Sequence, residues 1–301
     1  MNGGIGNGAR APLTVLAPAK VNMYLRVTGR RDDGYHTLDS LVCFADIGDR
    51  VTVTAAESFG FDVRGPFAAG FGAAERDAGP DSRNLAVRAA WAVARAARRT
   101  LDVHIALTKN LPLASGIGGG SADAAAVVWA LMEWWHLPRA GSPWLDELLL
   151  SMGADVPVCF SCQPAVMRGI GEILSPVAGM DEMPVLLVNP GVACPTARIF
   201  THYDRAFSVA QDMQGDFAAY IAGQDNDLTV PAMAVVPEIG DVLAALGAQD
   251  GAMFARLSGS GATCFAVFGD EAQAQAAAAR VHAAHPGWWV APGVLNRVAR
   301  Y

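Results

Sequence analysis

The stretch LPLASGIGGGSADAA, Leu111 to Ala125, constrains the chain more than any other. Gly116, Gly118, Gly119 and Gly120 lie directly before Ser121 and the alanine-rich run from Ala124 to Leu131. Upstream, Leu101 to Thr108 alternates apolar and other residues, as a half-buried strand does. The expected order is strand, glycine-rich loop, then a helix from about Gly120 to His136. Glycine lets backbone N–H groups approach a ligand closely, and the first turn of a helix carries unpaired N–H groups and the positive end of its dipole. Together these favour phosphate. A helix entry that merely needs flexible glycines is the plain alternative. The P-loop is excluded, because Gly120 is followed by Ser121 and Ala122 and not by Lys. The dinucleotide pattern GxGxxG begins with Gly116 and Gly118 but ends on Ser121, and neither Glu133 nor Asp146 stands at a strand end to bind a ribose.

With 301 residues and 52% hydrophobic content the chain can bury a large core, and its length suits two domains. A net charge of −7 argues against nucleic acid or an anionic membrane as the main partner. No apolar run reaches the ~18 residues of a membrane span. Met1 to Ala11 lacks the apolar stretch of a signal peptide and reads as a short disordered tail. The five cysteines, 43, 159, 162, 194 and 264, are odd in number and scattered, which suits a reduced cytoplasmic protein. Cys159-Phe-Ser-Cys162 has CxxC spacing, but no second CxxC and no nearby His accompany it, so buried thiols are expected there and not a zinc or redox site. Of the 22 Lys and Arg residues only Lys20 and Lys109 are lysine. A chain so biased towards Arg that keeps Lys at two places points to a need for a compact ammonium there.

Leu13 to Thr28 reads as two strands about Ala17-Pro-Ala-Lys-Val-Asn22, where Pro18 breaks pairing and aims Lys20 and Asn22 outward. Gly29 to His36 is a polar, turn-rich loop; Ser40–Asp46, Arg50–Ala55 and Phe59–Arg64 are further strands. Gly65 to Ser82 is irregular, and Asn84 to Arg99 is an amphipathic helix. Ser142-Pro143 reads as a cap and start for a helix through Ser151. The second half predicts a hairpin over Ala165–Leu174 and a buried strand from Val185 to Pro190. Short helices over Thr196–Tyr203 and Ile239–Leu246 follow, then a strand–turn–strand over Ala255–Phe268. A helix over Asp270–Ala284 precedes two closing strands, Trp288–Val290 and Gly293–Val298. Strands and helices mix without strict βαβ alternation, which favours an α+β fold.

Read together, Ala17-Pro-Ala-Lys-Val-Asn22, Gly34-Tyr-His36, the glycine loop, Gly153-Ala-Asp-Val-Pro157, Gly169-Ile-Gly-Glu172, Asn189-Pro-Gly191 and Leu257-Ser-Gly-Ser-Gly-Ala262 resemble the galactokinase/homoserine/mevalonate/phosphomevalonate kinase superfamily. The glycine loop is common to the superfamily. Gly-Tyr-His and Gly-Ala-Asp-Val-Pro are similar to the branch that phosphorylates a cytidine-diphosphate-linked methylerythritol. The match runs in order over residues 13 to 270.

The resemblance implies a two-domain small-molecule kinase fold with the active site in the interdomain cleft. Residues 12–163 would form the ATP-binding and catalytic domain and 164–301 the substrate-binding domain, its last strand packing back on the first. It implies ATP and Mg²⁺, with a small molecule carrying a cytidine diphosphate group as acceptor; oligomeric state stays open. Asp155 matches the catalytic aspartate that accepts the proton of the substrate hydroxyl, and Lys20 the active-site lysine that keeps that carboxylate ionised. Asn22 matches a contact to the sugar-alcohol end. Tyr35 and His36 match cytidine-binding positions, an aromatic face for stacking and ring nitrogens for the base edge. Thr196 and Phe200 align with further substrate contacts. Pro112, Leu113, Ala114, Ser115, Gly116, Ile117, Gly118, Gly119, Gly120, Ser121 and Ala122 would wrap the ATP phosphates, with Asn84 and Lys109 near the adenosine and Gly259, Ser260 and Gly261 supporting the site from the second domain. The loop holds no cation, so Mg²⁺ must supply much of the charge compensation, with Ser121 as a candidate ligand.

On local grounds alone Asp155 reads as a turn or cap residue before Val-Pro, Lys20 as a snorkelling strand lysine, and Gly259–Gly261 as a tight hairpin. Two positions depart from the pattern. Ala122 stands where a second Ser is common, and Ser115 where Gly is frequent. Other classes make different demands: a homoserine- or mevalonate-type kinase would not need Tyr35 and His36, and a nucleotide-binding module without catalysis would not need Asp155 and Lys20.

Overall fold

A computed structural model describes residues 10–212 and 217–298. The expected tail at Met1–Ala11 lies outside these except for Arg10 and Ala11, and the Arg10 guanidinium stacks 4.2 Å from the Trp134 ring centroid.

The chain opens with two long antiparallel strands, β1 (Leu13–Arg30) and β2 (His36–Ala55). The two strands expected on either side of Pro18 are one. β1 pairs within the sheet with β2 alone, so Pro18, which has no N–H to donate, sits in an edge strand and costs only a register shift between Pro18 and Lys20. The expected gap in β2 is likewise bridged, because Gly48 and Asp49 pair with Pro18 and Ala17. β3 (Gly60–Arg64) follows, then a short helix α1 (Ala73–Arg76) within the stretch expected to be irregular, and α2 (Leu85–Ala97), which Asn84 caps by accepting the Ala86 N–H. β4 (Val103–Thr108) inserts between β2 and β3. After the glycine loop comes α3 (Gly119–Trp134), apolar all round and almost wholly buried, as a helix at the centre of a core must be.

α4 (Leu145–Met152) begins two residues later than the Ser-Pro signal suggests, because the Ser142 hydroxyl donates back to the Pro138 carbonyl and caps nothing. α5 (Val156–Ser161) carries Pro157 in its first turn, where a missing N–H is harmless. It also holds buried Cys159, with half-buried Cys162 at its end. The hairpin of β5 (Ala165–Gly169) and β6 (Ile173–Pro176) adds to β2 on the first sheet.

The second half is built on β7 (Met183–Asn189). Helices α6 (Thr196–Thr201), α7 (Phe217–Ala222), α8 (Thr229–Val235) and α9 (Glu238–Gly247) precede the pair β8 (Ala252–Leu257) and β9 (Cys264–Phe268). α10 (Glu271–Ala284) and β10 (Trp289–Leu295) close the chain. β10 is one strand where two are expected; its residues pair without a break along β7, Pro292 opposite Leu186. Its last residue, Leu295, pairs with Ala45, and the Asn296 N–H reaches the Phe44 carbonyl, so the second sheet is stitched onto β2. The architecture is α+β, with helices packed on both sheets.

A buried cluster joins the halves: Ala19, Val21 and Met23 of β1 and Leu111 and Ile117 of the loop pack with Val185, Leu187 and Phe265. The outer edge of β1 faces this junction. Its N–H groups are taken by loops: Lys20 donates to the Ile117 carbonyl at 3.0 Å, Asn22 to Ser258 Oγ at 3.1 Å and Leu25 to the Asp225 carbonyl at 3.2 Å. An unpaired strand edge, otherwise a liability, becomes the dock on which the site is assembled.

Candidate active site

A cavity of about 1280 Å³ runs along that edge. Its lining includes Lys20, Asn22, Tyr35, His36, Asn84, Lys109, Asp155, Thr196, Phe200, Gly259 and Ser260. Of the glycine loop, Pro112 to Gly116 and Gly118 to Ser121 line it, whereas Ile117 and Ala122 are buried away from it. Residues from 20 to 260 thus meet in one cleft.

Two backbones pack against each other where the loop passes residues 258–263. Gly116 has φ +75°, and a methyl there would collide with the Ser258 carbonyl and lie 2.7 and 2.8 Å from the nitrogen and oxygen of Gly261. Ser258 Oγ donates to the Gly116 carbonyl at 3.1 Å, and the Thr263 N–H donates to the Ser115 carbonyl at 3.1 Å. Ser115, in a position where glycine is frequent, ties its hydroxyl to the Pro112 carbonyl at 2.7 Å and stiffens the turn. Gly118, φ +68°, occupies the cap position of α3; no side chain of this cap residue takes the first N–H groups of the helix, and Gly119, Gly120 and Ser121 of its first turn line the cavity.

Lys20 and Asp155 are 2.8 Å apart, Nζ to Oδ2. Lys20 is nearly buried, with 7% of its side chain exposed, whereas Asp155 keeps 36%. Asp155 does stand in the turn at the cap position of α5, but its carboxylate caps nothing and turns to Lys20 instead. A half-open carboxylate oriented by an ammonium is reachable by a substrate hydroxyl, which suits a proton acceptor.

Asn22 donates from Nδ2 to Ser40 Oγ at 2.8 Å, and Ser40 donates in turn to the Tyr24 carbonyl. The amide is oriented by this relay, and its buried Oδ1 has no hydrogen-bond partner in the protein. Asn84 also lines the cavity, yet both ends of its amide serve the fold, accepting from Ala86 and donating to the Glu75 carbonyl at 3.1 Å. Lys109 is buried between Asp123, at 2.6 Å, and Asp49.

At the opposite end His36 stacks on Phe200, centroids 5.0 Å apart and planes 19° from parallel. Tyr203 meets the His36 ring edge-on at 5.9 Å. Tyr35 is 63% exposed and lies on the rim. His36, and not a vacant slot, therefore covers the face of Phe200. Burial against these rings, and the charge of Arg30, hold the imidazole below its ordinary pKa. Thr196 Oγ1 hydrogen-bonds Ser260 Oγ at 2.8 Å, and the Cys194 thiol approaches the Ser260 carbonyl at 3.0 Å, so α6 props up the 259–261 turn. Ser40, Asp123 and Tyr203 also line the cavity and escaped the sequence reading. Asp123 lay inside the motif and could have been flagged; Ser40 and Tyr203 carry no motif.

Known proteins resemble the chain over most of its length. The profile described as GHMP kinases N terminal domain matches residues 84–163, and that described as GHMP kinases C terminal matches residues 211–287. The chain is 49% identical over 290 residues to a 4-diphosphocytidyl-2-C-methyl-D-erythritol kinase of Paracoccus denitrificans, covering 93% of this chain and 95% of that protein. A protein of the same name from Paramagnetospirillum magneticum is 45% identical over 289 residues, covering 94% and 98%. Among solved structures, a crystal structure of 4-(cytidine 5'-diphospho)-2C-methyl-D-erythritol kinase superposes with a TM-score of 0.78 at 32% identity, covering 94% of this chain and 99% of that one. Homoserine kinase from Cytophaga hutchinsonii shares the fold, with a TM-score of 0.68 at 17% identity and coverage of 94% and 95%. A strand edge that gathers a glycine loop, a lysine–aspartate pair and an aromatic group has a family to go with it: the chain belongs to the 4-diphosphocytidyl-2-C-methyl-D-erythritol kinase family of the GHMP kinases.

Proposed function

We propose that the chain transfers the γ-phosphoryl group of ATP to the 2-hydroxyl of 4-diphosphocytidyl-2-C-methyl-D-erythritol, a step of the methylerythritol phosphate route to isoprenoids. The observation that carries this reading is the Lys20–Asp155 pair, which lines one cavity together with the glycine loop and the His36–Phe200 stack. Phosphoryl transfer asks the protein mainly for positioning and for charge around the transferring group. Asp155 accepts the proton of the attacking hydroxyl as the new O–P bond forms. Lys20 orients the Asp155 carboxylate and steadies the negative charge that develops on the substrate oxygen. Asn22, oriented by Ser40 and lining the cavity, meets the sugar-alcohol end of the acceptor.

Pro112 to Gly116 and Gly118 to Ser121 wrap the phosphates, and the N–H groups at the start of α3 meet their charge. Lys109 and Asn84 stand near the adenosine; with its amide engaged by Ala86 and Glu75, Asn84 acts there by shape. No cationic side chain lies in the loop, and both lysines are engaged by carboxylates, so the phosphate charge calls for Mg²⁺. No group of three or more His, Cys, Asp and Glu among the described residues could hold a metal alone. The donor set therefore fits an ion that arrives with the nucleotide, Ser121 supplying a hydroxyl oxygen, and its chemistry is to neutralise the triphosphate. Tyr35, His36, Phe200 and Thr196 recognise the cytidine end. His36 offers its ring nitrogens to the base edge, and the exposed Tyr35 ring offers a face for the base to stack on.

Residues 12–163 form the nucleotide and catalytic unit and 164–301 the acceptor unit, although β5 and β6 lie on the first sheet. Among the described residues no helix is long and apolar enough to cross a membrane, and the acceptor is a small molecule. We place the reaction in the cytoplasm. The test is a coupled ADP-release assay with the cytidylylated substrate, homoserine and mevalonate in parallel. Turnover with the first alone is expected; equal turnover with either of the others, or none with the first, overturns the reading.

A further inference from the structure

We propose that Asp49 is a positioning residue for the nucleotide, a buried carboxylate that holds the entry of the glycine loop and aims the Lys109 ammonium beneath it. The proposal rests on reading that loop as the ATP phosphate site.

Asp49 is fully buried in β2 and does not line the cavity, so it acts only through other residues. Its Oδ1 accepts the backbone N–H groups of Asn110, at 2.5 Å, and Leu111, at 2.9 Å. These follow β4 directly, past the last ladder pair of Thr108 with Arg50, and have left the sheet. Its Oδ2 accepts from Lys109 Nζ, which also donates to Asp123 Oδ2 at 2.6 Å on the second turn of α3. One carboxylate thereby couples β2, the loop entry and the start of the helix. The cluster lies directly under the loop: a methyl on Gly119 would sit 3.6 Å from Lys109 Nζ and 3.8 Å from Asp49 Oδ2. The backbone around Asp49 is itself pinned, because Gly48 lies against the Ala17 carbonyl, and its own carbonyl accepts from Asn110 Nδ2 at 3.1 Å.

The two carboxylates on Lys109 are not equivalent. Both oxygens of Asp49 face donors. Asp123 has one oxygen on Lys109, and its Oδ1 is buried without a partner. An amide carries one acceptor and one donor group. Asn at 49 must turn an NH₂ either onto two backbone N–H groups or onto an ammonium. Asn at 123 keeps its acceptor on Lys109 and leaves its NH₂ without an acceptor, but sets no donor against another donor. The same isosteric change is therefore more harmful at 49 than at 123.

The experiment measures KM for ATP and for the cytidylylated substrate, together with direct ATP binding by calorimetry, on the full chain, Asp49→Asn and Asp123→Asn. Misplaced buried donors are expected to raise the ATP KM and Kd of Asp49→Asn about tenfold or more, with the substrate KM changed less than about twofold. Asp123→Asn is expected to raise the ATP KM and Kd less than Asp49→Asn does. A general loss of structure would move both KM values together, and that result, or an unchanged ATP KM in Asp49→Asn, overturns the proposal; so does greater harm from Asp123→Asn. Should Asp49→Asn fail to fold, Asp49→Glu keeps two acceptors but displaces them, and the same selective rise in ATP KM is expected; its absence refutes the assignment. If the unaltered chain does not bind ATP, the reading of the loop falls and the proposal with it. ATP binding that is unchanged in the variants removes the proposal alone.

Discussion

Two glycines four positions apart in the same loop should respond to alanine in opposite ways. Gly116 has φ +75° and no room: a methyl there meets the Ser258 carbonyl and the backbone of Gly261, which belong to a turn contributed by the other half of the chain. The left-handed backbone costs an L-residue about 1–2 kcal/mol, and overpacking against unyielding backbone adds about 1–3 kcal/mol. The combined penalty for Gly116→Ala is about 2–5 kcal/mol, a fall in Tm of roughly 4–10 °C for a chain of this size. Gly120, by contrast, lies in the first turn of α3 without a positive φ, and nothing stands within 4 Å of an added methyl. There alanine is favoured over glycine by about 0.5–1 kcal/mol, so Gly120→Ala should melt at or slightly above the parent temperature. Thermal unfolding followed by circular dichroism, without ligand, separates the two effects from any contact with nucleotide. A Gly116→Ala protein melting within about 1 °C of the parent would show that the loop and the 258–263 turn are not packed backbone to backbone, and the reasoning fails. ATP KM measured on the same samples should rise for Gly116→Ala, because the loop must shift to admit the methyl.

Asp155→Asn removes the proton acceptor while leaving the nucleotide cleft, and kcat should fall by about 10²- to 10⁴-fold with ATP binding retained; near-normal turnover in steady-state assays would withdraw its role. Tyr35→Ala should raise the KM for the cytidylylated substrate several-fold more than that for ATP, and equal shifts would count against a nucleobase site at that rim. His36 is held below its ordinary pKa of 6.5 by burial and by Arg30, so the fold prefers the neutral ring. That contribution to stability is complete above 6.5 and is lost as pH falls from there towards the folded value. Denaturant titrations between pH 7 and 5.5 should show a decline that His36→Phe lacks; parallel pH profiles would refute the assignment.

Where the elements lie was largely readable locally: α2 and β4 from periodicity, α3 and α10 from alanine-rich runs, and β7 from a short apolar run that ends at proline. The errors share a cause. Pro18 and Gly48 look like breaks when taken locally, but β1 is an edge strand and tolerates a missing donor, and cross-strand pairing carries β2 through the glycine. Pro292 misled in the same way, because β7 supplies an unbroken partner along β10. The boundary expected at residue 164 passes through no gap in the first sheet: β5 and β6 return to β2.

The candidate site divides along similar lines. Residue type and spacing, read with the family resemblance, were enough to single out Lys20, Asp155 and the glycine loop, because an ammonium, a carboxylate and a run of bare backbone are chemically distinctive wherever they occur. They could not say that Asp155 would decline to cap its helix and turn to Lys20 at 2.8 Å, nor that His36 would rest on Phe200. Asp49 has no motif at all; its importance arises because β4 ends opposite it and leaves two N–H groups for its oxygen. Composition and local pattern determine which groups the chain owns and how each segment coils. Which oxygen faces which donor is decided only when the edge of β1 gathers loops from far along the chain, since hydrogen bonds between distant segments depend on the whole fold and leave no trace in local periodicity.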